Sequence, residues 1–134
     1  MKIPQIDKKI FQKFNVKLAY LFGSQAKGNA AAESDFDLAV LFEEAGDKHN
    51  LFEKTLYLAE ELRDYFPKRI DIVSLNDAPL LLKYEVVSNG QALYCANEAE
   101  RIDFEVLIIK EYIDEEPLRN LYNQGLYKRI LQGA

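Results

Sequence analysis

The sequence predicts an α/β domain: a small, mixed and twisted sheet of about four strands with flanking helices packed mainly on one face. Short apolar runs of strand length, such as VKLAYLF and RIDIVSL, alternate with longer segments whose apolar residues recur every three or four positions. The 134 residues suit one domain, and 49% hydrophobic content supplies a core. We therefore expect a single domain over residues 1–134, with 118–134 as a C-terminal helical extension.

The N-terminal segment predicts a helix, a strand and a tight turn. Apolar residues at amphipathic-helix spacing come first, at Ile3, Ile6, Ile10, Phe11 and Phe14. The strand from Val16 to Phe22 stops at Gly23, which tolerates backbone angles closed to other residues. Ser24 suits the first residue of a following short helical segment. A helix start presents unpaired N–H groups, so this turn suits a phosphate.

Two aspartates stand on the next predicted strand, in DFDLAVLF. Asp35 and Asp37 are two residues apart, so both carboxylates leave the same face of a strand. They repel each other, and a divalent cation offsets that repulsion, because hard oxygen ligands suit Mg²⁺. The alternative is a solvent-exposed strand face on which the two acids only keep an edge soluble.

A third acid lies inside the apolar run RIDIVSL, residues 69–75. The helix before it is predicted to begin at Asn50, a good cap residue, and to end at Pro67. Asp71 is costly in an apolar strand unless it is paired or coordinated. If this strand pairs beside the second one, Asp71 projects toward the same site as the other two acids.

The C-terminal half predicts three more helices and one strand. Asp77 is expected to cap a helix that stops at Asn89 and Gly90, before the strand QALYC. Asn97 begins the next helix, Pro117 ends it, and its predicted inward stripe is Ile102, Val106, Ile109 and Ile113. The last amphipathic helix packs either on its own domain or on a partner, and its stripe is Leu118, Leu121, Tyr122, Leu126 and Ile130.

The pairing of a glycine-serine turn with Asp-x-Asp is more specific than either part. Gly23 and Ser24, ten intervening residues, then Asp35 and Asp37 in a strand–turn–helix–strand context resemble the polymerase-beta-type nucleotidyltransferase superfamily. The resemblance is closest to the minimal nucleotidyltransferases, the MNT group, often encoded beside a HEPN-domain partner as a toxin–antitoxin pair. It extends over residues 16–94 and implies the nucleotidyltransferase fold.

The resemblance also implies a site and a reaction. Gly23 and Ser24 would hold the triphosphate of ATP, while Asp35, Asp37 and Asp71 would hold two Mg²⁺ ions as the catalytic acids. AMP would pass to a hydroxyl, a tyrosine of a HEPN-type toxin, so that the chain acts as antitoxin. Two alternatives remain: a binding-only antitoxin with a vestigial site, and a small-molecule nucleotidyltransferase, which usually carries a further helical domain.

The turn departs from the family pattern at the residues that follow the serine. Family members often carry arginines there, whereas this chain has Gln25 and Lys27. Lys27 still offers a positive charge to the nucleotide but lacks the forked donor geometry of arginine. A P-loop is excluded, because it needs Gly-Lys-Ser/Thr and here Lys27 precedes Gly28.

Composition excludes several other classes of protein. A net charge of −5 argues against strong autonomous binding to nucleic acid. No apolar run approaches the ~20 residues of a membrane span, and the N-terminus lacks the apolar core of a secretory signal. The one cysteine, Cys95, fits a reducing cytoplasm and is expected to be a small buried or half-buried filler. The oligomeric state is left open.

Overall fold

The computed structural model describes residues 4–23, 36–43 and 48–132, which fold into a four-stranded sheet with helices on both sides. Ser24, Lys27, Asp35 and the short helical segment predicted after the turn lie outside these residues. The elements are α1 (Lys8–Lys13), β1 (Val16–Phe22), β2 (Phe36–Phe42), α2 (Lys48–Leu62), β3 (Ile70–Ser74), α3 (Leu80–Asn89), β4 (Gln91–Cys95), α4 (Glu98–Asp114) and α5 (Glu116–Leu131).

The sheet is mixed, as predicted, with the strand order β3-β2-β1-β4. The central strand β1 pairs antiparallel with both β2 and β4, whereas β2 and β3 run parallel. Side chains on the two central strands have no exposed surface at Ala19, Leu21, Leu38, Ala39 and Val40. Both faces of β2 are therefore inside the protein over its middle part.

Helices cover both faces of the sheet, so the expectation of helices mainly on one face was wrong. On one side α1 and α2 bury Phe11, Leu58 and Leu62 against the strands. On the other side Val86 of α3 and Phe104 of α4 pack on Leu18 and Tyr20 of β1, among other residues. The reason is that central strands apolar on both faces need cover on both, and DLAVLF is such a strand.

Several helix boundaries differ from the predicted ones. Helix α2 ends at Leu62 and not at Pro67, because the chain tightens there into a 3₁₀ turn over Arg63–Tyr65, as is frequent at helix ends. Helix α2 begins at Lys48, so Asn50 lies inside the helix and does not cap it; the first apolar residue of the helix, Leu51, comes only after Asn50, so apolar spacing places the start too late. Helix α3 is capped at Pro79 and not at Asp77, since a residue that precedes proline disfavours helical angles. Pro117 lies in the first turn of α5, where proline is tolerated, and so begins a helix instead of ending one.

Other predicted helix ends are confirmed. The side chain of Asn97 accepts a hydrogen bond from the Glu100 amide, 3.0 Å away, and caps α4. Helix α3 stops at Asn89 and Gly90. Helix α1 is shorter than predicted, because Asp7 caps it and Ile6 therefore precedes it, while Phe14 stands at its C-cap. Ile6, Ile10 and Phe14 are nevertheless half-buried against the core, and Ile3 lies outside the described residues. No helix in the described ranges has the length and apolarity that crossing a membrane requires.

Helix α4 faces the sheet with a different side from the one predicted. Its expected inward stripe, from Ile102 to Ile113, is 39–59% exposed, whereas Ile108 is buried and Phe104 is half-buried. The inward side also contains Arg101 and Glu105, and Glu105 accepts a hydrogen bond from the buried Tyr20 hydroxyl at 2.7 Å. Because charged residues complete this contact, a search for apolar periodicity alone selects the wrong side.

Helix α5 extends from the end of α4 and is fixed to the body at its base. The Arg119 guanidinium lies over the Tyr112 ring, 3.6 Å from its centroid, and donates to the Tyr112 carbonyl oxygen. Tyr84 of α3 stacks on the other side of Tyr112 with ring centroids 3.7 Å apart. Beyond this anchor, the described side chains of the predicted stripe are exposed, by 66% or more except at Leu126.

Candidate active site

Two of the three predicted acids lie side by side on neighbouring strands. In the parallel ladder between β2 and β3, Asp37 is in register with Asp71. Residues in register on adjacent strands share a face and are separated by the inter-strand spacing of about 4.8 Å. This is the face of Ala39 and Val73, beneath α3 further along the strands. Both carboxylates are half-buried and stand at the start of their strands.

Gly23 leaves room for one of these carboxylates. It follows Phe22, which is opposite Asp37 in the antiparallel ladder between β1 and β2. The φ angle of Gly23 is +78°, and a Cβ atom there would lie 2.8 Å from Oδ2 of Asp37. A side chain at this position would thus be strained and would push the carboxylate away. Glycine is therefore required at the end of β1 for two reasons: its backbone angle, as predicted, and the closeness of the Asp37 carboxylate.

Hydrogen bonds at both ends of β3 fix the register that brings the acids together. The Phe36 amide donates to the carbonyl oxygen of Arg69 at 2.9 Å. At the other end, Asn76 binds the backbone of Phe42 twice, accepting from its N–H at 2.9 Å and donating to its C=O at 3.0 Å. Sequence reasoning missed Asn76, although a short amide side chain directly after a strand is a signal for such a clamp.

Arg69 is a second residue that sequence reasoning missed. Its Nη2 atom lies 3.1 Å from Oδ1 of Asp71, so a guanidinium touches the candidate site. The signal was present in the order Arg-Ile-Asp, because residues two apart on a strand leave the same face. The pair is exposed to solvent, with 75% of the Arg69 side chain and 46% of the Asp71 side chain accessible.

The donor set fits a magnesium ion. Asp37 and Asp71 provide adjacent, partly exposed carboxylate oxygens, and Mg²⁺ typically binds one or two carboxylates together with substrate phosphates. Within the described ranges no group of three metal-ligating side chains occurs. The third predicted acid, Asp35, and the phosphate-binding candidates Ser24 and Lys27 fall outside those ranges.

Two other ionisable groups on the same sheet do not belong to this site. Burial raises the pKa of the Cys95 thiol, and a hydrogen bond to Glu98 raises it further. Cys95 is half-buried opposite Leu18, at the far end of β1, which confirms its expected role as a filler. Burial also raises the pKa of the Tyr20 hydroxyl, and the hydrogen bond to Glu105 is the second cause of this increase. Both groups stay protonated at neutral pH and hold α4 on the sheet.

Comparisons with known proteins agree with this geometry. Residues 5–99 match the family model described as polymerase beta, nucleotidyltransferase. The chain is 34% identical over 122 residues to the protein adenylyltransferase MntA of Aphanizomenon flos-aquae, covering 81% of this chain and 79% of that protein.

Two solved structures extend the likeness to most of the chain. One is a crystal structure of a toxin–antitoxin with AMP-PNP, with a TM-score of 0.73, 27% identity, and coverage of 90% of this chain and 94% of the other. The second is a tri-AMPylated HEPN toxin from Shewanella oneidensis in complex with MNT antitoxin, with a TM-score of 0.68, 25% identity and coverage of 90% and 92%. The chain belongs to the polymerase beta nucleotidyltransferase family and, within it, to the minimal nucleotidyltransferases that include the protein adenylyltransferase MntA.

Proposed function

We propose that this nucleotidyltransferase uses Mg²⁺ to transfer AMP from ATP to a tyrosine hydroxyl of a HEPN-type toxin, and so acts as its antitoxin. The observation that carries the proposal is the placement of Asp37 beside Asp71, next to a glycine that leaves space for the carboxylate. The name of the MntA relative and the AMPylated toxin in the Shewanella complex support the choice of nucleotide and acceptor.

Each site residue has a proposed role. Asp35, Asp37 and Asp71 hold two Mg²⁺ ions, which when bound neutralise the charge that develops on the transferring phosphate. Gly23 and Ser24 bind the triphosphate through backbone N–H groups, and Lys27 adds a positive charge. The acceptor oxygen bonds to the α-phosphorus as pyrophosphate leaves, and Asp71 takes the hydroxyl proton. Positioning and charge neutralisation supply most of the rate in such transfers.

The role of Asp71 predicts an uneven kinetic effect. We expect Asp71→Asn to lower kcat by a larger factor than it weakens ATP affinity, because the amide cannot accept the proton of the acceptor hydroxyl. Steady-state transfer rates and equilibrium ATP titrations on the same variant measure the two effects. Equal losses in both would make Asp71 a metal ligand alone.

The outer surface of α4 and α5 is the proposed contact for the toxin. Large apolar side chains are exposed along both helices, including Ile102, Val106, Leu118 and Leu121. Exposed apolar area of this extent marks interaction sites in soluble proteins. The end of α5 adds Lys128 and Arg129, so the partner surface would be apolar with acidic groups at its edge.

Two substitutions on α5 test whether this helix contacts the partner. We expect Tyr122→Glu to weaken the complex about tenfold or more, because tyrosine is a frequent interface anchor and the new charge would be desolvated. The matched control is Gln124→Glu, which introduces the same side chain on the opposite side of α5. Titration calorimetry with the partner measures both affinities. If the two variants bound the partner with equal affinity, α5 would not be part of the interface.

The test of the function is direct detection of the product. Purified protein, the gene product encoded next to it, ATP and Mg²⁺ are mixed, and intact-mass spectrometry follows the partner for added AMP. The proposal predicts one or more AMP additions with the wild type and none with Asp35→Asn. An unchanged mass, together with toxin inhibition that survives Asp35→Asn, would replace this proposal with a binding-only antitoxin.

Two further proposals concern the domain organisation and the cellular location. We propose that residues 1–134 act as one catalytic domain with 118–134 as its extension, because α5 is joined to the body by the Tyr112 and Arg119 contact. We also propose a cytoplasmic location, where ATP is available and the lone Cys95 stays reduced.

A further inference from the structure

Arg69 contacts a carboxylate oxygen of Asp71, which is one of the proposed metal ligands. Its Nη2 atom lies 3.1 Å from Oδ1 of Asp71, within reach of a charge-assisted hydrogen bond. The contact is local, because Arg69 stands directly before β3 and precedes Asp71 by two residues, so that both side chains leave the same side of the extended chain. A cation therefore stands beside the pair of acids, formed by Asp37 and Asp71, whose mutual repulsion it reduces.

The backbone of Arg69 is fixed in the sheet, whereas its side chain is exposed. Its carbonyl oxygen accepts a hydrogen bond from the Phe36 amide at 2.9 Å, so its backbone is part of the sheet. Its side chain is 75% exposed, and a salt bridge between exposed groups contributes little free energy. The guanidinium can thus leave Asp71 without disturbing the register that places Asp71 beside Asp37.

There is space for the displaced guanidinium. Arg69 also lines a concavity of about 670 Å³ beside α2 and the start of β3. Arg63, Lys68 and Glu60 also line it, and Glu60 lies 3.3 Å from Arg63.

We propose that Arg69 is a built-in counter-ion for Asp71 that competes with the divalent cation, and so sets the cation concentration at which the site loads. The inference rests on the proposed function, since it takes Asp71 as a metal ligand. Before loading, Arg69 balances the neighbouring acids. On loading, a divalent cation at the Asp71 carboxylate repels the guanidinium, which turns into the concavity. Arg69 is a positioning residue in this account and does not touch the reacting atoms.

The test measures metal binding without nucleotide or turnover. Mn²⁺ serves as the probe, because it prefers the same carboxylate ligands and its free form is counted by electron paramagnetic resonance. We expect Arg69→Ala to lower the Kd for Mn²⁺ about two- to fivefold, the range that corresponds to loss of an exposed ion pair. Arg69→Lys, which keeps the charge, is expected to return the Kd toward the wild-type value.

Arg63→Ala is the matched control. It removes the same charge from the same concavity and from a similarly exposed side chain, 68% against 75%, but its carboxylate partner is Glu60. Because Arg63 forms its ion pair with Glu60 and not with Asp71, the control is expected to leave the Kd unchanged. Equal effects of Arg63→Ala and Arg69→Ala, or weaker binding by Arg69→Ala, would overturn the competition.

Failure of the proposed metal site gives a different result. If the wild type and Asp71→Asn bound Mn²⁺ equally, Asp71 would not be a ligand, and both the metal assignment and the inference would be overturned. If Asp71→Asn lost Mn²⁺ binding while Arg69→Ala and Arg63→Ala both bound Mn²⁺ with the wild-type Kd, the metal site would stand and only the role of Arg69 would be wrong.

Discussion

Asp37→Asn is expected to abolish transfer while the chain keeps its fold. Loss of residues that merely support a metal ligand typically costs 10–100-fold, so loss of the ligand itself should exceed about 100-fold. The amide has nearly the same shape as the acid, and the buried neighbours Leu38 and Val40 point to the other face. The like charge in register with Asp71 is also removed, so the variant should stay folded.

Transfer assays and thermal unfolding of the same preparation check both halves of this prediction. Asp64→Asn is the control, because it makes the same chemical change at an exposed position in the turn after α2. Its transfer rate should equal that of the wild type. Retention by Asp37→Asn of a rate within about tenfold of wild type would mean that Asp37 is not a metal ligand.

Gly23→Ala is expected to have the next largest effect, through the position of Asp37. The added Cβ would lie 2.8 Å from Oδ2 of Asp37 on a backbone with φ of +78°. An L residue in left-handed backbone costs about 1–2 kcal/mol. Displacement of a catalytic group by about 1 Å can lower a rate about 100-fold, so activity should fall further than stability does.

Gly125→Ala provides the stability control for this variant. A Cβ at Gly125 meets no atom within 4 Å, and the residue lies inside helix α5. Alanine in place of a helical glycine stabilises by about 0.5–1 kcal/mol, so urea unfolding should shift in the opposite direction from that of Gly23→Ala. Full transfer activity in Gly23→Ala would show that the Asp37 carboxylate can move without cost.

The strands and the acids of the sheet were predictable because each leaves a local signal. An aspartate inside RIDIVSL is unusual enough to identify Asp71, and strand alternation assigns it a face. Which residue faces Asp71 on the next strand could not be predicted from local signals, and the pairing could be stated only as a condition. The structure meets that condition with a parallel pairing that puts Asp71 in register with Asp37. Asn76 was missed because its partner, Phe42, is known only once the strands are paired. Arg69 was missed although its partner is two residues away, because Asp71 was considered only as a metal ligand.

The helices were less predictable because apolar periodicity does not tell which apolar side is covered. In α4 the more regular stripe is exposed, and the buried side uses the Glu105 carboxylate with Tyr20 as well as Ile108. For α5 the sequence left two locations open. The structure leaves its stripe uncovered, which favours the location on a partner.

Calorimetric titration of ATP, with Mg²⁺ and with a chelator, tests the central claim most directly. The claim is that Asp35, Asp37 and Asp71 bind the nucleotide through metal ions, because carboxylates alone repel a triphosphate. The account predicts that removal of the metal weakens ATP binding by about tenfold or more, equivalent to about 1.4 kcal/mol. The same ATP affinity with and without the metal would contradict it.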